Sequence, residues 1–130
     1  MDNTILAGKY IRQIMIDNQE LMGLISANKI FPLLANPDTS FPFIVYSRTN
    51  LIPTYTKDLL TDNYVSFVVV VVSDNYVQSL NIANAVRHSL EGYRYQDNDI
   101  KIYPIKFDSI TEETMEDAYI QRLSFSFNAG

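Results

Sequence analysis

The sequence predicts an α+β domain: a mainly antiparallel sheet with a valine-rich strand at its centre and two amphipathic helices packed on it. Three observations carry that prediction. Apolar residues recur at helical spacing in two separate stretches, near residues 3–25 and 76–90. The run Phe67 to Val72 is apolar on both faces of a strand, which suits only a central position. The stretch Ala118 to Asn128 alternates apolar and polar residues, as a half-buried antiparallel strand does. Helices that arrive separately and must both cover sheet surface favour an α+β layer.

From Asn3 to Ile25, Ala7, Tyr10, Ile11, Ile14, Leu21 and Ile25 fall on one side of a helical wheel. Lys9, Arg12, Gln13 and Glu20 face away, so a single amphipathic helix is expected, with Gly23 marking a loose last turn. Ile5 and Ile16 lie off the stripe, as rim residues or as a second contact surface. Lys29 to Leu34 reads as a short extended segment, and Pro32, which lacks a donor, places it on an edge or at a strand end. Asn36 to Pro42 has turn chemistry. A strand follows, with Phe43, Val45 and Ser47 on one face and Ile44, Tyr46 and Arg48 on the other.

Leu51 to Thr61 is expected to be a polar connection leading to the valine strand. Ser73, Asp74 and Asn75 offer N-caps for the second helix, whose stripe is Tyr76, Leu80, Ala83, Val86 and Leu90 and whose end is Gly92. Ile100 to Phe107 and Ala118 to Asn128 are the last strands, with Leu123, Phe125 and Phe127 inward and Arg122, Ser124, Ser126 and Asn128 outward. The segment between them, Ser109 to Asp117, reads as an acidic hairpin connection. Central burial of both valine faces further predicts that Val69→Asp and Val70→Asp each destroy soluble folding.

A chain of 130 residues suits one domain spanning 1–130 and one core. Its net charge of -5 repels nucleic acid and anionic membranes, since the 10 basic residues do not cluster. There is no cysteine, and hence no disulfide or thiolate chemistry. The opening residues lack the basic leader and apolar core of a signal peptide, and no apolar run approaches membrane length, so a soluble, intracellular protein is expected.

Catalytic signatures are sparse. His88 is the only histidine and falls on the solvent side of the second helix. The four glycines at 8, 23, 92 and 130 are too scattered for a phosphate loop. Carboxylates gather at Asp108, Glu112, Glu113, Glu116 and Asp117, and at Asp97 and Asp99, without calcium-loop spacing. The first group reads foremost as a solvated connection whose charge discourages edge association, and next as a weak divalent site or an acidic docking patch. Arg87 lies beside Leu80 and Leu90 on the wheel, either snorkelling along the sheet rim or pairing with a carboxylate of its own chain or of a neighbouring subunit. No enzyme activity, catalytic residue, metal or cofactor is expected. The 9 tyrosines and 7 phenylalanines suit recognition instead.

Three colinear stretches also carry a family resemblance. Ile30, Phe31 and Pro32, then Pro42, Phe43, Val45 and Tyr46, then Val86, Arg87, Leu90, Glu91, Gly92 and Tyr93, with the closing strand Glu116 to Gly130, resemble the tail-completion (tail-to-head joining) proteins of long-tailed bacteriophages and prophages. The resemblance implies an α+β subunit that forms a ring with itself, commonly of six copies, at the end of the tail tube. Its expected partners are tail tube and head connector proteins, with no membrane and no sequence-specific nucleic acid, although DNA passes through the ring. The expected location is the virion tail, or the bacterial host cytoplasm during assembly. A ring needs two unlike contact surfaces. The candidate interface residues are Ile5, Ile16, Thr54, Tyr55, Arg87 and Arg122. The alternative reading is a non-enzymatic small-molecule- or protein-binding domain with an aromatic pocket drawn from Tyr10, Tyr46, Tyr64 and Tyr76.

Overall fold

The computed structural model describes residues 3–55 and 61–130. After a 3₁₀ turn, Thr4–Leu6, the elements are α1 (Ala7–Ile16), α2 (Gln19–Met22), β1 (Ile30–Pro32), β2 (Phe43–Tyr55), β3 (Thr61–Ser73), α3 (Tyr76–Leu90), β4 (Tyr95–Gln96), β5 (Lys101–Ile102), β6 (Lys106–Met115) and β7 (Ala118–Ala129). The expected α+β class holds. The seven strands form one sheet in the order β1-β2-β3-β7-β5-β4, with β6 also paired to β7. All pairings are antiparallel except β1 with β2. Proline-bearing β1 sits on the edge, where a missing donor costs least.

The valine strand is interior, with β2 on one side and β7 on the other along its length. Phe67, Val69 and Val71 point to an inner face and are buried together with Ile44, Leu123, Phe125 and Phe127. Phe67 stacks on Phe125 with ring centroids 5.2 Å apart. The helix α3 lies over β3 and β7, while α1 and α2 pack beside it. Ala7, Gly8 and Ile11 of α1 meet Tyr46, Val65, Phe67 and Phe127 with almost no void between them. A Phe→Ala change in such a packed core costs about 3–5 kcal/mol.

The first helix is not continuous. It breaks at Asp17 and Asn18, where the Asn18 side chain accepts from the Leu21 amide at 2.9 Å and caps α2. Across the break, Leu21 and Ile25 are still buried in the core, on the side where the wheel places them. Met15, which the wheel did not include, is fully buried and joins the core. Arg12 does not face water freely: its guanidinium donates to the carbonyls of Ala27 at 2.9 Å and Ile30 at 3.4 Å. It thereby ties α1 to the approach of β1.

In α3 the buried residues are Ser79, Ile82, Ala83, Ala85, Val86, Ser89 and Leu90. Tyr76 and Leu80, expected inside, are exposed at 42% and 38%. Ser79 and Ser89 explain the rotation, because each hydroxyl donates back to a carbonyl three residues earlier and so travels inward as a satisfied group. The cap is as expected: Asn75 accepts from the Gln78 amide at 2.9 Å. Gly92 ends the helix at φ +79, and its amide donates to the Ile105 carbonyl at 2.7 Å.

Two expected connections are strands. Leu51 to Tyr55 continues β2, in register with Thr61 to Val65 of β3. Residues 56–60 of that expected connection lie outside the described residues. Ser109 to Met115 is most of β6, and only Glu116 and Asp117 make the turn, with Glu116 at φ 52. Polar and acidic composition concealed both, since neither segment has a buried face to impose alternation. The expected strand Ile100 to Phe107 is divided around Pro104 into β5 and the start of β6.

Candidate interaction surfaces

The sheet has a second face. Directly paired residues share a face, so Phe43, Val45 and Ser47 of β2 stand beside Val72, Val70 and Val68 of β3. Next come Ile120, Arg122 and Ser124 of β7, then Glu113, Thr111 and Ser109 of β6. Among the described residues no helix buries its stripe here, and Phe43, Val45, Val68, Val70 and Val72 remain half-buried. Phe41 stacks on Phe43 at 5.9 Å and extends the apolar area. Its apolar part is contiguous across β2 and β3. The expectation that both valine faces are covered is therefore met by the chain itself on one side only.

Both sheet margins also offer backbone. Beyond its pairing with β1, the strand β2 runs on from Ser47 to Tyr55 with one neighbour, β3. Among the described residues, the strand β6 is paired only to β7, and it is exposed along nearly its whole length. Asp108, Glu112 and Glu113, with a bulge between Phe107 and Ser109, give β6 the charge and irregularity that discourage indiscriminate pairing.

The six candidate interface residues scatter over the molecule. Ile5 is 69% exposed in the first turn, while Ile16 is half-buried and packs against the core. Thr54 and Tyr55 are exposed at the distal end of β2. Arg87 satisfies both readings at once, since its Nε lies 3.0 Å from Glu91 Oε1 and its guanidinium sits 4.2 Å over the Phe107 ring. Arg122, on the uncovered sheet face, pairs with Glu113 at 3.0 Å. His88, exposed as expected, places Nδ1 3.0 Å from Glu20 Oε1. The structure gathers none of these into one site. The residues that do form a surface, Phe43, Val45, Val68, Val70 and Val72, could have been found by pairing the alternation of β2 with that of the valine run.

The four tyrosines of the aromatic-pocket reading separate. Tyr46 is buried in the core, and Tyr64 lies on the uncovered sheet face opposite Asn128. Tyr10 lines an open cleft of about 290 Å³ with Lys9, Gln13, Asp17, Tyr93 and Tyr95. There Tyr95 donates to Asp97 Oδ2 at 2.7 Å, and that bond, followed by burial, pushes the phenol up to about 12. Lys9 already stands 5.2 Å over the Tyr10 ring. Tyr76 lines a different cleft with Tyr119. No cluster of metal-ligating side chains occurs among the described residues, and none of their helices is long and apolar enough to cross a membrane.

The architecture is thus a helix-backed antiparallel sheet with one apolar face left uncovered. Its fold recurs in solved structures. A chain within the virion of a native gene transfer agent (GTA) particle superposes with a TM-score of 0.79 over 92% of this chain and 90% of that one, at 15% sequence identity. A second solved chain superposes with a TM-score of 0.59 over 95% of each, at 12% identity. No family model and no curated protein matches the sequence.

Proposed function

We propose that the chain is a non-enzymatic structural subunit of a phage or prophage tail, completing the tail end and joining it to the head connector as a ring. The observation that carries this reading is the uncovered apolar face of Phe43, Val45, Val68, Val70 and Val72. A monomer gains nothing from leaving such a surface in water, and a head-to-tail assembly requires two unlike patches. For the second, the helix side offers Leu24 and Val77, both exposed and lining one surface at the start of α3. The shared fold with a chain of the GTA virion supports the reading, as does the colinear tail-completion resemblance.

The test is size. Light scattering and electron microscopy of the purified chain, alone and with tail tube ends, should reveal closed rings. A strict monomer that binds neither tail nor head components would overturn the proposal.

A further inference from the structure

The cleft of about 320 Å³ at the start of α3 is lined by Tyr76, Glu112, Glu113, Thr114, Tyr119 and Gln121. It lies on the helix side of the β6–β7 hairpin, away from the uncovered sheet face, because Glu112 is paired with Gln121 in the inward register. Its centre is the Glu112 carboxylate. Tyr76 Oη donates to Oε2 at 3.0 Å and lies 3.2 Å from Oε1, and the Gln121 amide donates to Oε2 at 3.0 Å. Gln121 is only 2% exposed and also donates to Ser79 Oγ at 3.3 Å, so the amide is fixed from behind.

These donors are neutral, and they leave the full negative charge in place. The ion pairs among the described residues are Arg87–Glu91, His88–Glu20 and Arg122–Glu113, and none involves Glu112. Oε1 keeps free acceptor capacity facing the cleft. Tyr76 and Tyr119 stand at 61° with ring centroids 5.6 Å apart, an edge-to-face pair that still offers π surface. The phenol of Tyr76 is held in its protonated form by the bond to Glu112, so it adds no second charge.

We propose that this cleft is a receptor for a guanidinium group, presented as an arginine side chain by a neighbouring protein. A planar cation can lay its face on a tyrosine ring while its N–H fork meets a carboxylate edge, a combination that an ammonium cannot reproduce. Charge complementarity selects the occupant: the cleft has a positioned anion in Glu112 and two aromatic rings, none of its lining residues is cationic, and its second carboxylate, Glu113, is already paired with Arg122 at 3.0 Å. The site does not depend on ring formation, so its test uses the chain in whatever oligomeric state it adopts.

The probe is N-acetyl-arginine amide, titrated at constant ionic strength while the side-chain amide of Gln121 and the ring protons of Tyr76 and Tyr119 are followed by NMR. Saturable shifts confined to these groups are expected, with a Kd on the order of 10 mM for so small a ligand. Glu112→Gln, which keeps an acceptor for Tyr76 but removes the charge, should weaken binding by about tenfold or more. N-acetyl-lysine amide should bind more weakly than the arginine probe, and tetramethylammonium no better than lysine. Should Glu112→Gln fail to fold, Tyr119→Ser, which alters a partly exposed ring, should produce the same loss. Shifts equal to those caused by sodium chloride, equal binding of lysine and arginine probes, or unchanged binding in a folded Glu112→Gln chain would each overturn the inference.

Discussion

At the scale of single residues, short polar side chains decide where elements begin. Asn75 accepts from the Gln78 amide and starts α3 after the valine strand. Asn75→Ala should lower the unfolding free energy by ~1 kcal/mol, read as a shift in the urea midpoint with an unchanged slope. Asp97 does similar work at the β4–β5 turn. Its Oδ1 accepts from the Asp99 amide at 2.7 Å and the Ile100 amide at 2.9 Å, and its Oδ2 accepts from Tyr95. The Tyr95 bond first, and the Asp99 amide next, hold the carboxyl below its ordinary 3.8. The folded chain therefore binds this proton less readily than the unfolded chain. The stabilisation is complete above the unfolded value and is lost as pH falls through the lower folded value. Urea midpoints of the native chain should drop between about pH 5 and pH 2, and Asp97→Asn should flatten that decline. An equally steep acid limb in the variant would assign the loss to other carboxylates.

Among elements, the two faces of β3 part company. Val69 is fully buried, so Val69→Asp leaves an unpaired charge among Ile44, Leu123 and Phe125, at a cost of several kcal/mol against a total stability of about 5–15. No soluble folded protein is expected, as the apolar run alone suggested. Val70 is half-buried on the uncovered face, which corrects the expectation for its partner substitution. Val70→Asp should give a cooperatively folded chain with native far-UV circular dichroism. Its collapse would mean that this face is packed after all. The contrast shows what was legible. Alternation in Leu123, Phe125 and Phe127, and the doubly apolar valine run, revealed strand β7 and the central place of β3, because burial imposes a period on sequence. The distal half of β2 and nearly all of β6 were read as connections, because strands with water on both faces carry no such period. In α3 the missed rotation came from Ser79 and Ser89, polar by type but internally satisfied. Of the guanidinium cleft, only the acidic residues could be seen beforehand; the Tyr76, Tyr119 and Gln121 frame depends on α3 meeting β7 in space.

For the whole molecule, stability and association draw on opposite sides of one sheet. The inner face holds the aromatic core, while the outer face presents Phe43, Val45, Val68, Val70 and Val72. Under the proposed assembly, Val70→Asp should therefore remain folded yet sediment as a monomer where the native chain forms rings. A variant that assembles normally would move the subunit interface to the helix side or to the margins at β2 and β6.

The position of β7 between β3 and β6 also governs the order in which the chain can become safe from its neighbours. On the ribosome, β2 and β3 can pair early, but the other margin of the valine strand waits for Ala118–Ala129, where Val68 meets Ser124. Until that stretch emerges, five consecutive valines form an open, sticky border on a half-made sheet. A nascent chain stalled before Ala118 should accordingly be a strong client for hydrophobic-binding chaperones, and one extended past Ala129 should be released.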